Sequence, residues 1–127
     1  MKEILIVSIG SFFGGGMRYW ISKMVQSSTL IAFPFGTMTV NVLGCLIIGF
    51  LSGLNWNGGG WMSPSTKLLL TTGFCGGFTT FSTFSSEVVQ LLRSGQTALA
   101  AGYAVLSVTV GVACVALGSW AYSSLCR

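Results

Sequence analysis

Long apolar stretches dominate the chain, and short polar or glycine-rich breaks separate them. A first stretch covers residues 4–24, with Arg18 and Lys23 toward its end. Pro34 and Gly36 then punctuate the chain, and a second run covers residues 37–54. Residues 55–65 hold Gly58, Gly59, Gly60 and Pro64 around Trp56 and Trp61, the composition of a loop bordered by interfacial aromatics. The third run, residues 68–92, carries a single charge, Glu87. Arg93, Ser94 and Gly95 make a short turn, and residues 97–122 form the last run. A spanning helix needs about 20 mostly apolar residues. The pattern therefore predicts an all-α membrane protein with four transmembrane helices, which use residues 1–127 as one domain.

Composition agrees. Hydrophobic residues make up 52% of the chain and charged residues 6%, with a mean hydropathy of +0.80. A soluble domain carries about 25% charged residues, so this one cannot coat itself for water and belongs in membrane lipid. Six scattered basic residues form no patch for a phosphate backbone, which excludes nucleic acid as a partner. Histidine is absent and no phosphate-cradling glycine loop occurs, so enzymatic chemistry has almost nothing to work with. Cys45, Cys75, Cys114 and Cys126 form no C-x-x-C pair, and the three inside apolar runs read as small hydrophobes. Lys2 followed by an apolar run imitates a signal peptide, but no small-x-small cleavage pattern follows, and the segment reads as a retained first span.

Orientation follows the side with more Lys and Arg. Four spans put Lys2, Lys67 and Arg127 on one side and Arg18, Lys23 and Arg93 on the other, three against three. Such a chain can insert both ways and pair with its own inverted copy, generating the pseudo-symmetry that transporters build from inverted repeats. A weakly biased single topology is the alternative. Gly10 and Gly14, Gly49 and Gly53, and Gly73 and Gly77 are G-x-x-x-G pairs that allow close helix packing.

The chemistry concentrates between Thr71 and Glu87. Gly73, Gly76 and Gly77 sit where glycine weakens a helix, and six hydroxyl residues follow within positions 79–86. Irregular backbone at membrane depth survives when it is buried in protein or lines a polar cavity, so a break here reads as an ion site. A continuous helix with hydroxyls bonded to the preceding turn is the other reading. A break also makes Gly76 a candidate for a conformation that only glycine tolerates. Phe78, Phe81 and Phe84 recur every three residues; they serve packing, or their electropositive ring edges flank an anion. Asn41 is a lone amide in the second span, either gluing helices or donating to an ion. Tyr103 and Ser107 share a face of the last span. Arg18 and Glu87 are the charges nearest to span interiors, where such groups face a bundle interior or a vestibule.

At these residues the chain resembles the small bacterial fluoride channels called Fluc or CrcB. The likeness rests on residues 76–85 (GGFTTFSTFS), on Gly36-Thr37 with Asn41 and Gly44, on Gly15 and Gly16 with Arg18, and on Tyr103 with Ser107. The resemblance implies an antiparallel, dual-topology homodimer of four-helix subunits in the bacterial inner membrane, its third helix broken near the middle. It implies passive, fluoride-selective export that relieves fluoride toxicity. It further implies a structural Na+ held by the backbone carbonyls of Gly76 and Thr79, a pore lined by Asn41, Phe81, Ser82, Thr83, Phe84, Tyr103 and Ser107, and Arg18 in a vestibule. The alternative is a small multidrug-type dual-topology exporter. Such an exporter needs an acid within the first span, where this chain has only Glu3, at its start. A structural subunit of a larger membrane complex would leave the Gly-Thr-Phe-Ser segment without a reason.

Overall fold

The computed structural model describes residues 1–28, 33–56 and 63–125, and the described residues contain helices and no strands. The loop expected at Gly58–Gly60, the Trp61 beside it, Cys126 and Arg127 lie outside them. Helices α1 (Lys2–Ser27) and α2 (Phe35–Trp56) come first. The third pass is built from pieces: α3 (Pro64–Leu68), a π-helical stretch (Leu69–Cys75), α4 (Gly76–Phe78) and α5 (Phe81–Arg93). Helix α6 (Thr97–Leu125) closes the chain. α1, the Phe35–Ser52 part of α2, and α6 are each long and apolar enough to cross a membrane. Continuous helix runs through Trp56, so the expected loop begins later than its composition suggested.

Local chemistry sets the ends of the third pass. Ser63 caps α3 by accepting from the Thr66 N–H, and Pro64 occupies the first turn, where a missing N–H costs nothing. The backbone stays right-handed helical across the π-helical stretch, with Leu69 at φ −60°, ψ −46° and Gly76 at φ −62°, ψ −37°. Gly95, at φ +80°, reverses the chain after α5, where its N–H donates to Leu92 and the Gln96 N–H to Leu91.

Side-chain register gives each pass its direction. Along α1, Gly10 lies against Leu69 and Gly73, Gly14 against Phe74 and Phe78, and Arg18 reaches Gly77. The third pass therefore runs parallel to α1. Between α2 and α6, Cys45 faces Gly111, Gly49 faces Val115, and Phe50 meets Tyr122 edge-on at 5.5 Å, so these two also run parallel. α1 meets α2 in the opposite sense, through Ser22 against Gly36 and the Gln26 amide bonded to Phe33 and Gly36. The chain thus makes four passes, although three of its helices are continuous.

Glycine makes the parallel contacts possible. A Cβ on Gly14 would collide with the Phe74 carbonyl, and one on Gly118 with the Leu46 carbonyl. Backbones approach this closely in lipid when the side chain is absent. Gly10, Gly49, Gly73 and Gly77 are used in the same way, while the surroundings of Gly53 fall outside the described side chains. Tyr103 and Val40 are fully buried, and Tyr103 packs with Phe33, Leu91 and Ala100 in a small core. The outer face of α1, including Ile4, Leu5, Ile9, Phe12, Phe13 and Trp20, is exposed. An apolar patch of that extent has a non-aqueous neighbour.

Candidate functional site

Helix α4 ends at Phe78, and the next two residues are extended: Thr79 at φ −89°, ψ 159° and Thr80 at φ −148°, ψ 121°. The glycines do not form the break. Gly73 and Gly77 serve the contact with α1, where a Cβ on Gly77 would stand 2.8 Å from the Ser11 carbonyl oxygen. Gly76 is helical, and a Cβ on it would meet nothing closer than the Thr71 carbonyl oxygen at 4.0 Å, so it needs no glycine-only conformation. The hydroxyls set the break instead. Thr79 Oγ1 donates to the Cys75 carbonyl at 3.0 Å, closing the first half, and Thr80 caps the second by accepting from the Thr83 N–H at 3.2 Å.

A helix end leaves carbonyls and N–H groups without an in-helix partner. Two side chains from other passes supply partners here. Arg18 Nε donates to the Gly77 carbonyl at 3.1 Å. Asn41 Nδ2 donates to the Thr80 carbonyl at 3.1 Å, and Asn41 Oδ1 accepts from the Thr80 N–H at 2.8 Å. Both ends of the Asn41 amide are therefore committed to backbone.

Beside the break lies a groove of about 680 Å³, and Asn41, Gly76, Thr79, Phe81, Phe84 and Ser107 all line it. Phe81 is 79% exposed, and its ring centre lies 5.9 Å from that of the half-buried Phe84 at a tilt of 47°. Ser107 Oγ is buried and has no hydrogen-bond partner among the described residues. Ser82 and Thr83 are exposed on α5 outside this groove, although Ser82 Oγ lies 3.4 Å from Thr80 Oγ1. Tyr103 stands behind the groove wall. Its ring meets Phe84 at 5.0 Å and Phe33 at 5.3 Å, both edge-on, and its hydroxyl donates to Glu87 Oε1 at 3.2 Å.

Two residues outside the pore set implied by the resemblance enter the site, and Glu87 is one that the sequence already marked as a charge near a span interior. Lys67 lines the groove from α3, and in the sequence it figures only in the balance of basic residues. Glu87 is bonded by Tyr103 and by the buried Thr37, which sits at the start of α2. A second polar cavity of about 360 Å³, lined by Gln26, Glu87, Gln90, Ser94 and Gln96 among others, opens on this carboxylate. Among the described residues no group of three or more His, Cys, Asp or Glu could hold a metal, and the oxygen atoms at the break are backbone carbonyls and hydroxyls. Cys45, Cys75 and Cys114 are free thiols.

A family model described as CrcB-like protein, Camphor Resistance (CrcB), matches residues 5–119. The chain is 43% identical over 119 residues to the fluoride-specific ion channel FluC of Methylobacillus flagellatus, covering 93% of this chain and 92% of that one. It is 44% identical over 119 residues to the fluoride-specific ion channel FluC of Chlorobaculum tepidum, covering 94% and 93%. The protein of the same name from Phocaeicola vulgatus is 40% identical over 120 residues, covering 94% of this chain and 98% of its own.

Proposed function

The chain belongs to the CrcB family, and from that premise we propose that it is a fluoride-selective ion channel, passively exporting fluoride across the bacterial inner membrane. It is not an enzyme. One observation carries the reading to particular residues. Ser107, whose buried hydroxyl lacks a partner, faces the same groove as the Phe81 and Phe84 rings. A buried hydroxyl without an acceptor costs stability, and a passing anion would satisfy it. The ring edges add weak positive potential without a full charge to trap the ion. Fluoride is small and tightly hydrated, so close-range donors can replace its water while a larger halide fits them less well. Lys67 at the groove raises the local anion concentration. Ser82 and Thr83 extend a hydroxyl track along α5, and Tyr103, bonded to Glu87, backs the Phe84 ring from behind the groove wall. Arg18 belongs to a vestibule beside the break.

The functional unit is an antiparallel homodimer of inverted copies. Balanced basic residues support dual insertion, and the exposed Phe81 supports an aromatic contribution from each copy. The Gly76 and Thr79 carbonyls fit a structural Na+, because the break turns backbone oxygens out of the helical ladder. Two copies would offer four hard oxygen donors, a set that suits a hard cation. Bound there, Na+ would neutralise carbonyl dipoles brought together at the dimer centre. The exporter alternative lacks its acid, since Glu3 in the first turn is the one acid of α1.

Liposomes loaded with fluoride or with chloride test the reading. Those carrying the protein should lose fluoride quickly and keep chloride. Equal loss of both anions overturns it.

A further inference from the structure

We propose that Asn41 is a positioning residue, whose amide fixes where the third pass breaks by holding Thr80 at both of its backbone groups. It acts on the ion path through that backbone, and it rests on the channel reading only for its transport consequence. The geometry is specific. In a helix a residue's N–H and C=O point in opposite directions along the axis, and one carboxamide cannot reach both. In an extended residue they lie side by side, as where two antiparallel strands exchange a pair of bonds. Thr80 has that conformation, and Asn41 exchanges both bonds with it, at 2.8 and 3.1 Å. The side chain thus stands in for a one-residue strand partner, and it matches the broken backbone and not the helical one.

The bonding also fixes the amide's orientation, since the Thr80 N–H must face Oδ1 and the Thr80 carbonyl must face Nδ2. Freeing the amide to serve an anion would leave both Thr80 backbone groups facing the groove without this partner. From the other side, Arg18 holds the Gly77 carbonyl at 3.1 Å. The stretch between these two anchors contains the Thr79 peptide, so its carbonyl is aimed from both directions. The groove then inherits its shape from α2 and α1 as well as from the third pass.

Site-resolved amide exchange of the whole protein in lipid nanodiscs tests this, with fluoride efflux measured on the same preparations. Asn41→Leu removes both bonds, and the Thr80 N–H should exchange about tenfold faster, as expected for loss of one net hydrogen bond. The Leu91 amide, away from the break in α5, should be unchanged. Asn41→Asp keeps an oxygen facing the Thr80 N–H whether ionised or protonated, and should restore its protection. If Asn41→Leu does not fold, Asn41→Ser, too short to bridge both groups, should show the same selective loosening. Unchanged Thr80 exchange in the folded Leu or Ser variant overturns the proposal, as does equal loosening at Leu91. If liposomes of the unmodified protein retain fluoride, the channel reading fails while the exchange pattern still decides the role of Asn41.

Discussion

The Tyr103 hydroxyl donates to Glu87 Oε1 at 3.2 Å from a ring that solvent does not reach. The contact ties α6 to α5 beneath Phe84, so one side chain both supports an aromatic ring of the groove and partners a carboxylate. Removing the hydroxyl leaves the acid with less compensation in a low-dielectric setting, at a cost of about 1–3 kcal/mol. Tyr103→Phe should therefore lower the thermal midpoint in detergent and slow fluoride efflux together. An unchanged midpoint would show that the bond does not hold the two helices.

Ser107→Ala separates stability from transport. Deleting a buried hydroxyl without a partner is neutral or slightly stabilising. Fluoride efflux should nonetheless fall about tenfold, the effect of one lost hydrogen bond to the permeating ion. Loss of stability with intact efflux would mean that the hydroxyl is structural.

The two groove phenylalanines should respond differently. Phe81 is largely exposed in the subunit, so Phe81→Ile should leave subunit packing unchanged. Phe84 stacks edge-on against Tyr103, and Phe84→Ile should cost about 0.5–1.5 kcal/mol for the lost aromatic pair. Both variants keep apolar bulk and lose a ring edge, and both should slow efflux sharply. Full fluoride flux in both would remove the rings from the mechanism.

Adjacent glycines give a third contrast. Gly76→Ala meets open space in a helical conformation and should raise stability by about 0.5–1 kcal/mol. Gly77→Ala pushes a methyl against the Ser11 backbone and should destabilise the α1 contact clearly. Thermal melting of the two purified variants in one detergent decides the order.

Topology is tested by reporters. C-terminal fusions should report both sides of the membrane, because the basic residues balance three against three. Two lysines added after Leu125 should bias the population to one side. A single orientation for the unmodified chain would rule out pairing of inverted copies.

Much of this architecture can be read from apolar runs and punctuation, because lipid leaves backbone few options. The hydroxyls of the third run marked a break as one of two readings, and the glycines pointed to it for a reason that does not hold. The position of the break was not legible, since Gly73 and Gly77 look like helix weakeners until Gly10, Gly14 and Ser11 are brought against them. Asn41 stood out as a lone amide, but its pairing with Thr80 spans 39 positions and depends on how α2 meets the third pass. The Glu87–Tyr103 bond likewise joins residues that share no local pattern.

The divided third pass also bears on how the protein enters the bilayer. Helix α5 has hydroxyl and amide side chains on one face, with Ser82, Ser86 and Gln90 in line, and would part reluctantly from the insertion machinery alone. Three residues separate it from α6, which is apolar along its length. The two should leave the translocon as a hairpin, with α6 carrying its less lipophilic neighbour into the membrane. The groove then cannot exist before α6 has been made, so a ribosome stalled before α6 would leave α5 at the bilayer surface.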